Sequence, residues 1–174
     1  MEVIKTTYYK SPVGELILGS YQDSLCLCDW RYRRMRTTID KRIQQLLGVS
    51  FSEEPCNVVD KAIGQLEAYF SQTLTEFDLP LKLAGTEFQQ SVWNELLKIP
   101  YGKTSSYLSL SNKLNNPKAI RAVASANGAN AISIIIPCHR IIGSDGSLVG
   151  YAGGLPAKKR LLKLESGVEQ LEMF

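Results

Sequence analysis

The sequence predicts an α+β chain: a small antiparallel sheet with helices in the first half, then a mostly helical half that contains a helix-turn-helix. Three observations carry this. Strand-forming segments punctuated by turn residues run to Trp30, apolar residues recur at helical spacing from Val59, and two short helix signals flank a polar turn between Ser106 and Asn130. A chain of 174 residues, 44% hydrophobic and 21% charged, is long enough to bury a core as one ordinary domain or two small ones. Its composition excludes disorder. The longest apolar run, Ala131 to Pro137, is far too short to cross a bilayer, and the N-terminus lacks a signal peptide's charged and apolar regions. A cytoplasmic, reducing setting without membrane contact is expected, in which the four cysteines are thiols or ligands and not a disulfide framework.

Residues 6–10, 15–19 and 25–30 are rich in strand formers, and Ser11-Pro12-Val13-Gly14 and Gln22-Asp23-Ser24 between them supply turn chemistry. The expectation is an antiparallel meander. A helix follows from Asn57 as N-cap, with Val59, Ile63, Leu66 and Phe70 on its packed side. The boundary between halves falls at 79–85. Thr86-Glu87-Phe88-Gln89 is a capping box, in which the threonine hydroxyl and the glutamine side chain satisfy each other's exposed backbone N–H groups. Phe88, Val92, Trp93, Leu96 and Leu97 form the expected buried stripe, stopped by Pro100. A second helix is expected from Ser106 to about Leu114, and a third from Asn116 as cap with Pro117 at its first position. Ala119, Ala122, Ala124 and Ala126 keep that third helix slim, which suits either a groove or a tight core. Gly128-Ala129-Asn130 ends it, residues 131–136 read as a buried strand leading to Cys138, and a last helix runs over 156–166 to Gly167.

Charge is unevenly distributed. Residues 1–80 carry nine Lys/Arg against eleven Asp/Glu, a net −2, while residues 81–174 carry eleven against six, a net +5. Between Glu95 and Asp145 there is no acid, yet Lys98, Lys103, Lys113, Lys118, Arg121 and Arg140 fall there. Such a surface attracts a phosphate backbone, whereas a merely solvated face would intersperse acids.

His139, the only histidine, directly follows Cys138. A thiol near its ordinary pKa is a poor nucleophile at neutral pH, and a neighbouring base corrects this. Adjacent side chains on an extended segment diverge, so the pair would work through a bridging water. From a Cys-His dipeptide by itself, an inert buried thiol beside a satisfied imidazole is the favoured reading. Cys26 and Cys28 alternate on a strand and Cys56 stands alone, so no four-ligand zinc site forms, and neither metal nor cofactor is expected.

Ile136-Pro137-Cys138-His139-Arg140-Ile141-Ile142 resembles the active-site signature of the methylated-DNA:protein-cysteine methyltransferases, or O6-alkylguanine-DNA alkyltransferases. Phe88-Gln89-Gln90, Val92-Trp93, Ile99-Pro100-Tyr101-Gly102, Ser106-Tyr107, Asn116-Pro117-Lys118-Ala119-Ile120-Arg121-Ala122-Val123 and Gly150-Tyr151-Ala152-Gly153-Gly154-Leu155 follow the family's order over roughly residues 85–167. The resemblance implies a ribonuclease-H-like domain over 1–80 and a winged-helix-like DNA-binding and alkyl-acceptor domain over 85–174. It also implies single-turnover transfer from O6 of guanine, and from O4 of thymine, in duplex DNA to the protein's own cysteine.

Through that resemblance, Cys138 is the acceptor, His139 activates it through water, Glu165 orients His139, and Tyr107 gives a proton to N3 of the departing guanine. Arg121 fills the space vacated by the flipped base, with Lys103, Ser106, Lys118, Ala119 and Ala122 against the DNA. Asn130 holds the turn around the active segment. Ile141, Tyr151, Ala152 and Gly153 line the base pocket, with Lys158 at its mouth. Ala152 departs from the serine of some members, leaving only a backbone N–H for O6. The implied partner is duplex DNA bearing O6-alkylguanine, bound by a monomer. By spacing alone Tyr107 is equally a core tyrosine, and Glu165 a solvated helix residue. A Cys-His hydrolase and a helix-turn-helix DNA-binding protein without chemistry are the rival classes.

Because phosphate contacts from the region of Lys103 and Lys118 would dominate binding, affinity for duplex DNA should fall steeply with added salt and depend weakly on sequence. Fluorescence anisotropy across a salt series checks this; strong preference for one sequence with a flat salt response would support the rival binding protein.

Overall fold

The computed structural model describes residues 2–167. The chain divides into two compact units, Met1–Gly85 and Thr86–Phe174.

In the first unit the strands are β1 (Ile4–Ser11), β2 (Gly14–Tyr21) and β3 (Ser24–Trp30). They pair antiparallel through two-residue turns. Ser11 shapes the first: its hydroxyl donates to the Gly14 carbonyl at 2.6 Å and accepts from the Val13 N–H at 3.2 Å. In the second, Gln22 and Asp23 both take left-handed φ, 48° and 62°, the geometry whose twist matches a right-twisted hairpin. The sheet is not the pure antiparallel meander expected. A short β4 (Phe51–Glu53) adds in parallel to β1, which gives the order β3-β2-β1-β4. On the opposite edge, Leu25 N–H donates to Pro80 O at 2.8 Å and Leu25 O accepts from Lys82 N–H at 2.8 Å, which ties 80–82 to the sheet.

Between β3 and β4 lies α1 (Arg36–Leu47), a helix that the sequence pattern did not single out. It starts without a side-chain cap. Its first turn is anchored by charge instead. Arg36 bridges the fully buried Asp29 at 3.1 Å and Asp40 at 2.8 Å, and Arg33 also reaches Asp29 at 3.0 Å. The basic cluster Arg31 to Arg36, which disguised the helix start, is what secures it. α2 (Asn57–Phe70) buries Val59, Ala62, Leu66, Tyr69 and Phe70. Cys56, not Asn57, occupies its cap position, and Asn57 is already helical.

The second unit is helical. α3 (Glu87–Leu96) carries the anticipated capping box: Thr86 Oγ1 accepts from Gln89 N–H at 3.1 Å and Gln89 Oε1 from Thr86 N–H at 3.0 Å. Val92, Trp93 and Leu96 form its buried stripe, each contributing roughly 1.5–3 kcal/mol. Phe88 and Leu97 flank that stripe and stay exposed, so the stripe is narrower than expected. α4 (Tyr107–Lys113) is capped by Ser106, whose hydroxyl accepts from Ser109 N–H at 3.0 Å. α5 (Ile120–Gly128) begins later than anticipated. Asn116 O accepts from Ala119 N–H at 3.0 Å in a separate turn, and Ala119 holds the cap position. α6 (Leu155–Ser166) ends at Gly167 in the left-handed conformation, φ 74°.

Ile43, fully buried on α1, should lose about 2–5 kcal/mol when replaced by alanine. Leu46→Ala, on the exposed side of the same helix, should change stability by no more than about 0.5 kcal/mol. Chemical denaturation of both variants checks that α1 is docked through this face.

Candidate active site

The approach to Cys138 is a buried turn, not the strand expected from the apolar run 131–136. Ile136 N–H donates to Ile132 O at 2.9 Å and Ile135 N–H to Ser133 O at 2.8 Å, bonds that close within the segment. Ile134 adopts φ 70°, a conformation costing a β-branched residue roughly 1–2 kcal/mol. Asn130 makes the turn possible. Its Nδ2 donates to Ile136 O at 2.9 Å and Ile132 O at 3.4 Å, and its Oδ1 accepts from Ile132 N–H at 3.0 Å. A buried side chain thus supplies what a neighbouring strand would otherwise supply. Residues Cys138–Arg140 then form one 3-10 turn. Ser105 clamps its far end, donating its N–H to Arg140 O at 2.9 Å and accepting from Ile142 N–H at 2.8 Å.

Cys138, His139, Arg140 and Glu165 are all buried. Glu165, on α6, accepts from His139 Nε2 at 2.6 Å, from Arg140 Nε at 2.7 Å and from Arg140 Nη2 at 3.1 Å. Arg140 Nη1 donates further to Ile99 O at 2.6 Å, which joins the chain just after α3 to the active segment and α6. Burial opposes the Glu165 charge, but the hydrogen bonds of His139 and Arg140, the charge of Arg140 and, in acid, that of protonated His139 outweigh it and hold the carboxyl at about 2. His139 responds differently. Burial, the largest influence, pushes it below the ordinary histidine value despite Glu165, and Arg140 and Lys158 push the same way. The resting imidazole is therefore neutral at neutral pH, burial outweighing the pull of the Glu165 carboxylate. An ionised carboxylate only accepts, so Nε2 carries the proton and Nδ1 is the basic nitrogen. Nδ1 is buried and meets no hydrogen-bond partner among the described residues.

Negative charge on Cys138 would raise the pKa of both Tyr107 and Lys158. The Tyr107 hydroxyl, raised chiefly by burial, accepts from Asn127 Nδ2 at 3.4 Å. Lys158 is fully buried and does not stand at an open mouth. Its ammonium donates to Ile141 O, and to Val149 O at 3.0 Å, bracing both ends of the intervening loop. Burial lowers its pKa. Tyr151 packs edge-on to His139 at 6.4 Å between ring centroids, Ile141 is buried, and Ala152 and Gly153 are partly exposed beside Tyr151.

The helix pair α4 and α5 presents a separate face. Val123, Ala126 and Asn127 point inward, while Arg121, Ala122 and Ser125 are exposed. Lys103 and Lys118 are exposed, and Ser106 and Ala119 partly so. Arg121 thus stands beside a small alanine on an open helix face. Arg140 and Asn127 are the site residues that sequence reasoning missed. The signal for Arg140 was its place in the Cys138 motif, but it counted there only as one more surface cation; nothing in the pattern marks Asn127.

Two family models cover the chain. The 6-O-methylguanine DNA methyltransferase ribonuclease-like domain matches residues 4–83 and its DNA binding domain residues 87–167. The methylated-DNA–protein-cysteine methyltransferase of Mycobacterium tuberculosis is 44% identical over 158 residues, 89% of this chain and 88% of the relative. That of Methanosarcina acetivorans is 42% identical over 163 residues, 90% and 95% respectively. The crystal structure of Mycobacterium tuberculosis OGT in complex with DNA matches with a TM-score of 0.81 and 41% identity, over 96% of this chain and 97% of that one.

Because the folded Glu165 sits below its ordinary 4.5, its contribution to stability is complete above pH 4.5 and is lost as pH falls through about 2. Denaturation between those limits should show the loss. Glu165→Gln should flatten that dependence and cost about 3–5 kcal/mol at neutral pH, since it leaves the Arg140 guanidinium buried without its counter-charge.

Proposed function

The chain belongs to the 6-O-methylguanine DNA methyltransferase family, and on that basis we propose that it repairs duplex DNA by moving an alkyl group from O6 of guanine, and O4 of thymine, onto Cys138. The observation that carries the assignment is His139 held by Glu165 through Nε2 at 2.6 Å, which leaves Nδ1 as the ring nitrogen not engaged by the carboxylate, in the residue after a buried thiol. Through a bridging water, Nδ1 takes the thiol proton. The thiolate sulfur attacks the alkyl carbon, the S–C bond forms, and the O6–C bond breaks with its electron pair retained by the base. Tyr107 Oη gives its proton to N3, so the base leaves neutral. The proton from the thiol returns through the imidazolium and solvent to the phenolate. The protein ends as a thioether, which a cytoplasmic, reducing setting does not cleave.

A duplex hides O6, so the base must be extruded at a cost of a few kcal/mol. Arg121, exposed on α5, fills the gap, and Ala122 with the partly exposed Ala119 lets the helix approach the groove closely. Lys103, Ser106 and Lys118 hold phosphates. Tyr151, Ala152, Gly153 and Ile141 line the pocket, whose loop is braced from within by Lys158. A Cys-His hydrolase would use the same nucleophile but has no need for Arg121 on a basic, acid-free helix pair.

Incubation with a duplex bearing one O6-methylguanine should add a single methyl mass to the intact protein, located on Cys138 by peptide mapping. Repaired guanine should never exceed the protein in amount. Cys138→Ala should abolish transfer and retain DNA binding; several turnovers per protein molecule would favour the hydrolase.

A further inference from the structure

We infer that Asn127 is a positioning residue for the transfer, setting the direction of the hydrogen bond at the Tyr107 hydroxyl so that the phenol's own proton is offered to the departing base. The inference rests on the proton-donor reading of Tyr107 given above. A phenol has one proton and can accept as well as donate. Where a neighbour donates to its oxygen, the O–H is free to point elsewhere; where a neighbour accepts, that proton is occupied. Asn127 Nδ2 donates to Tyr107 Oη at 3.4 Å, from a side chain on the inward face of α5 that is 6% exposed. Its Oδ1 is also buried and has no hydrogen-bond partner among the described residues. An amide is thus kept in the core with its donor end on the phenol.

The electrostatic consequence runs the same way. Burial and the nearby Cys138 raise the Tyr107 pKa, and the Asn127 hydrogen bond is the influence that lowers it, making the phenol a stronger acid at the moment N3 needs a proton. Asn127 is also tied to the acceptor turn. Its carbonyl accepts from Asn130 N–H at 3.3 Å, and Asn130 in turn holds the segment that delivers Cys138. The proton donor and the nucleophile are therefore registered to one another through the end of α5.

The test is single-turnover transfer from a duplex carrying one O6-methylguanine, with Asn127→Ala, which removes the donor, and Asn127→Asp, whose carboxylate would accept the phenol proton. Each is made in the wild-type and in the Tyr107→Phe background. Loss of a positioned proton donor slows transfer by on the order of 10²-fold, so Tyr107→Phe should show about that. Asn127→Asp should approach it and Asn127→Ala fall between. Neither should slow transfer further in the Tyr107→Phe background. Titration of the Tyr107 ring by NMR, assigned through Tyr107→Phe, should move upward in both variants, a change that loss of packing alone does not produce. Wild-type rates in the folded Asn127 variants, or the same slowing in both backgrounds, overturns the inference while leaving the Tyr107 assignment intact. A wild-type rate for Tyr107→Phe itself overturns the proton-donor reading, and this inference with it. If Asn127→Asp does not fold, Asn127→Ala and its double variant decide between the same outcomes.

Discussion

One carboxylate governs the catalytic half of this molecule. Glu165 is buried, and it is shared between a guanidinium and an imidazole. Its charge draws the imidazole toward its cation, and burial, the largest influence on His139, overrides that pull. Because burial, aided by the charge of Arg140, keeps the imidazole neutral, Glu165 acts on His139 mainly through hydrogen-bond direction: it fixes the proton on Nε2 and leaves Nδ1 basic. The same guanidinium reaches Ile99 O, so the charge balance and the packing of α6, the active segment and the chain after α3 are one constraint. Buried ion pairs of this kind contribute little net stability, since desolvation offsets attraction, but breaking one is costly. That asymmetry holds the site in a single arrangement.

A second constraint is conformational. Six consecutive apolar or small residues, 131–136, would favour extension if only local preference counted. They fold instead into a buried turn with Ile134 in the left-handed region, because Asn130 offers both a donor and an acceptor from inside the core. Strain at Ile134 is tolerated because the surroundings over-determine it, a pattern found where a backbone must deliver one group to one place. That group is Cys138, which emerges at the start of a 3-10 turn with His139 and Arg140 following.

α5 joins the two tasks that the proposed repair demands. Its inward face carries Val123 and Ala126 into the core and Asn127 to the Tyr107 hydroxyl, while its outward face sets Arg121 beside Ala122. Helical periodicity separates the faces, so a side chain offered to DNA and one addressing the phenol lie within two turns of one short helix. Lys158 has a quieter part. Its ammonium spends its hydrogen bonds on the carbonyls of Ile141 and Val149, which converts a potential surface cation into an internal brace for the pocket loop.

Features whose cause is local were legible in the residue order. The turns at Ser11 to Gly14 and at Gln22-Asp23, the Thr86 capping box, the Ser106 cap and the Gly167 helix stop each depend on groups a few residues apart, and each is where the pattern puts it. The motif around Cys138 and the basic, acid-free stretch likewise lie in plain order along the chain. The rest came only with the packed fold, because each such feature rests on a partner distant in sequence or on what surrounds it in space. α1 is anchored by Asp29 rather than a cap, β4 exists by pairing with β1, and α5 starts at Ile120 because a separate turn takes up Asn116 to Ala119. Phe88 and Leu97 lie outside the face that α3 buries, and Lys158 is buried because two carbonyls await it. The neutrality of His139 is the clearest case. Its neighbour in sequence shares its carboxylate, and desolvation, a property of the whole packed unit, outweighs the attraction that a reading of residue types alone would have put first.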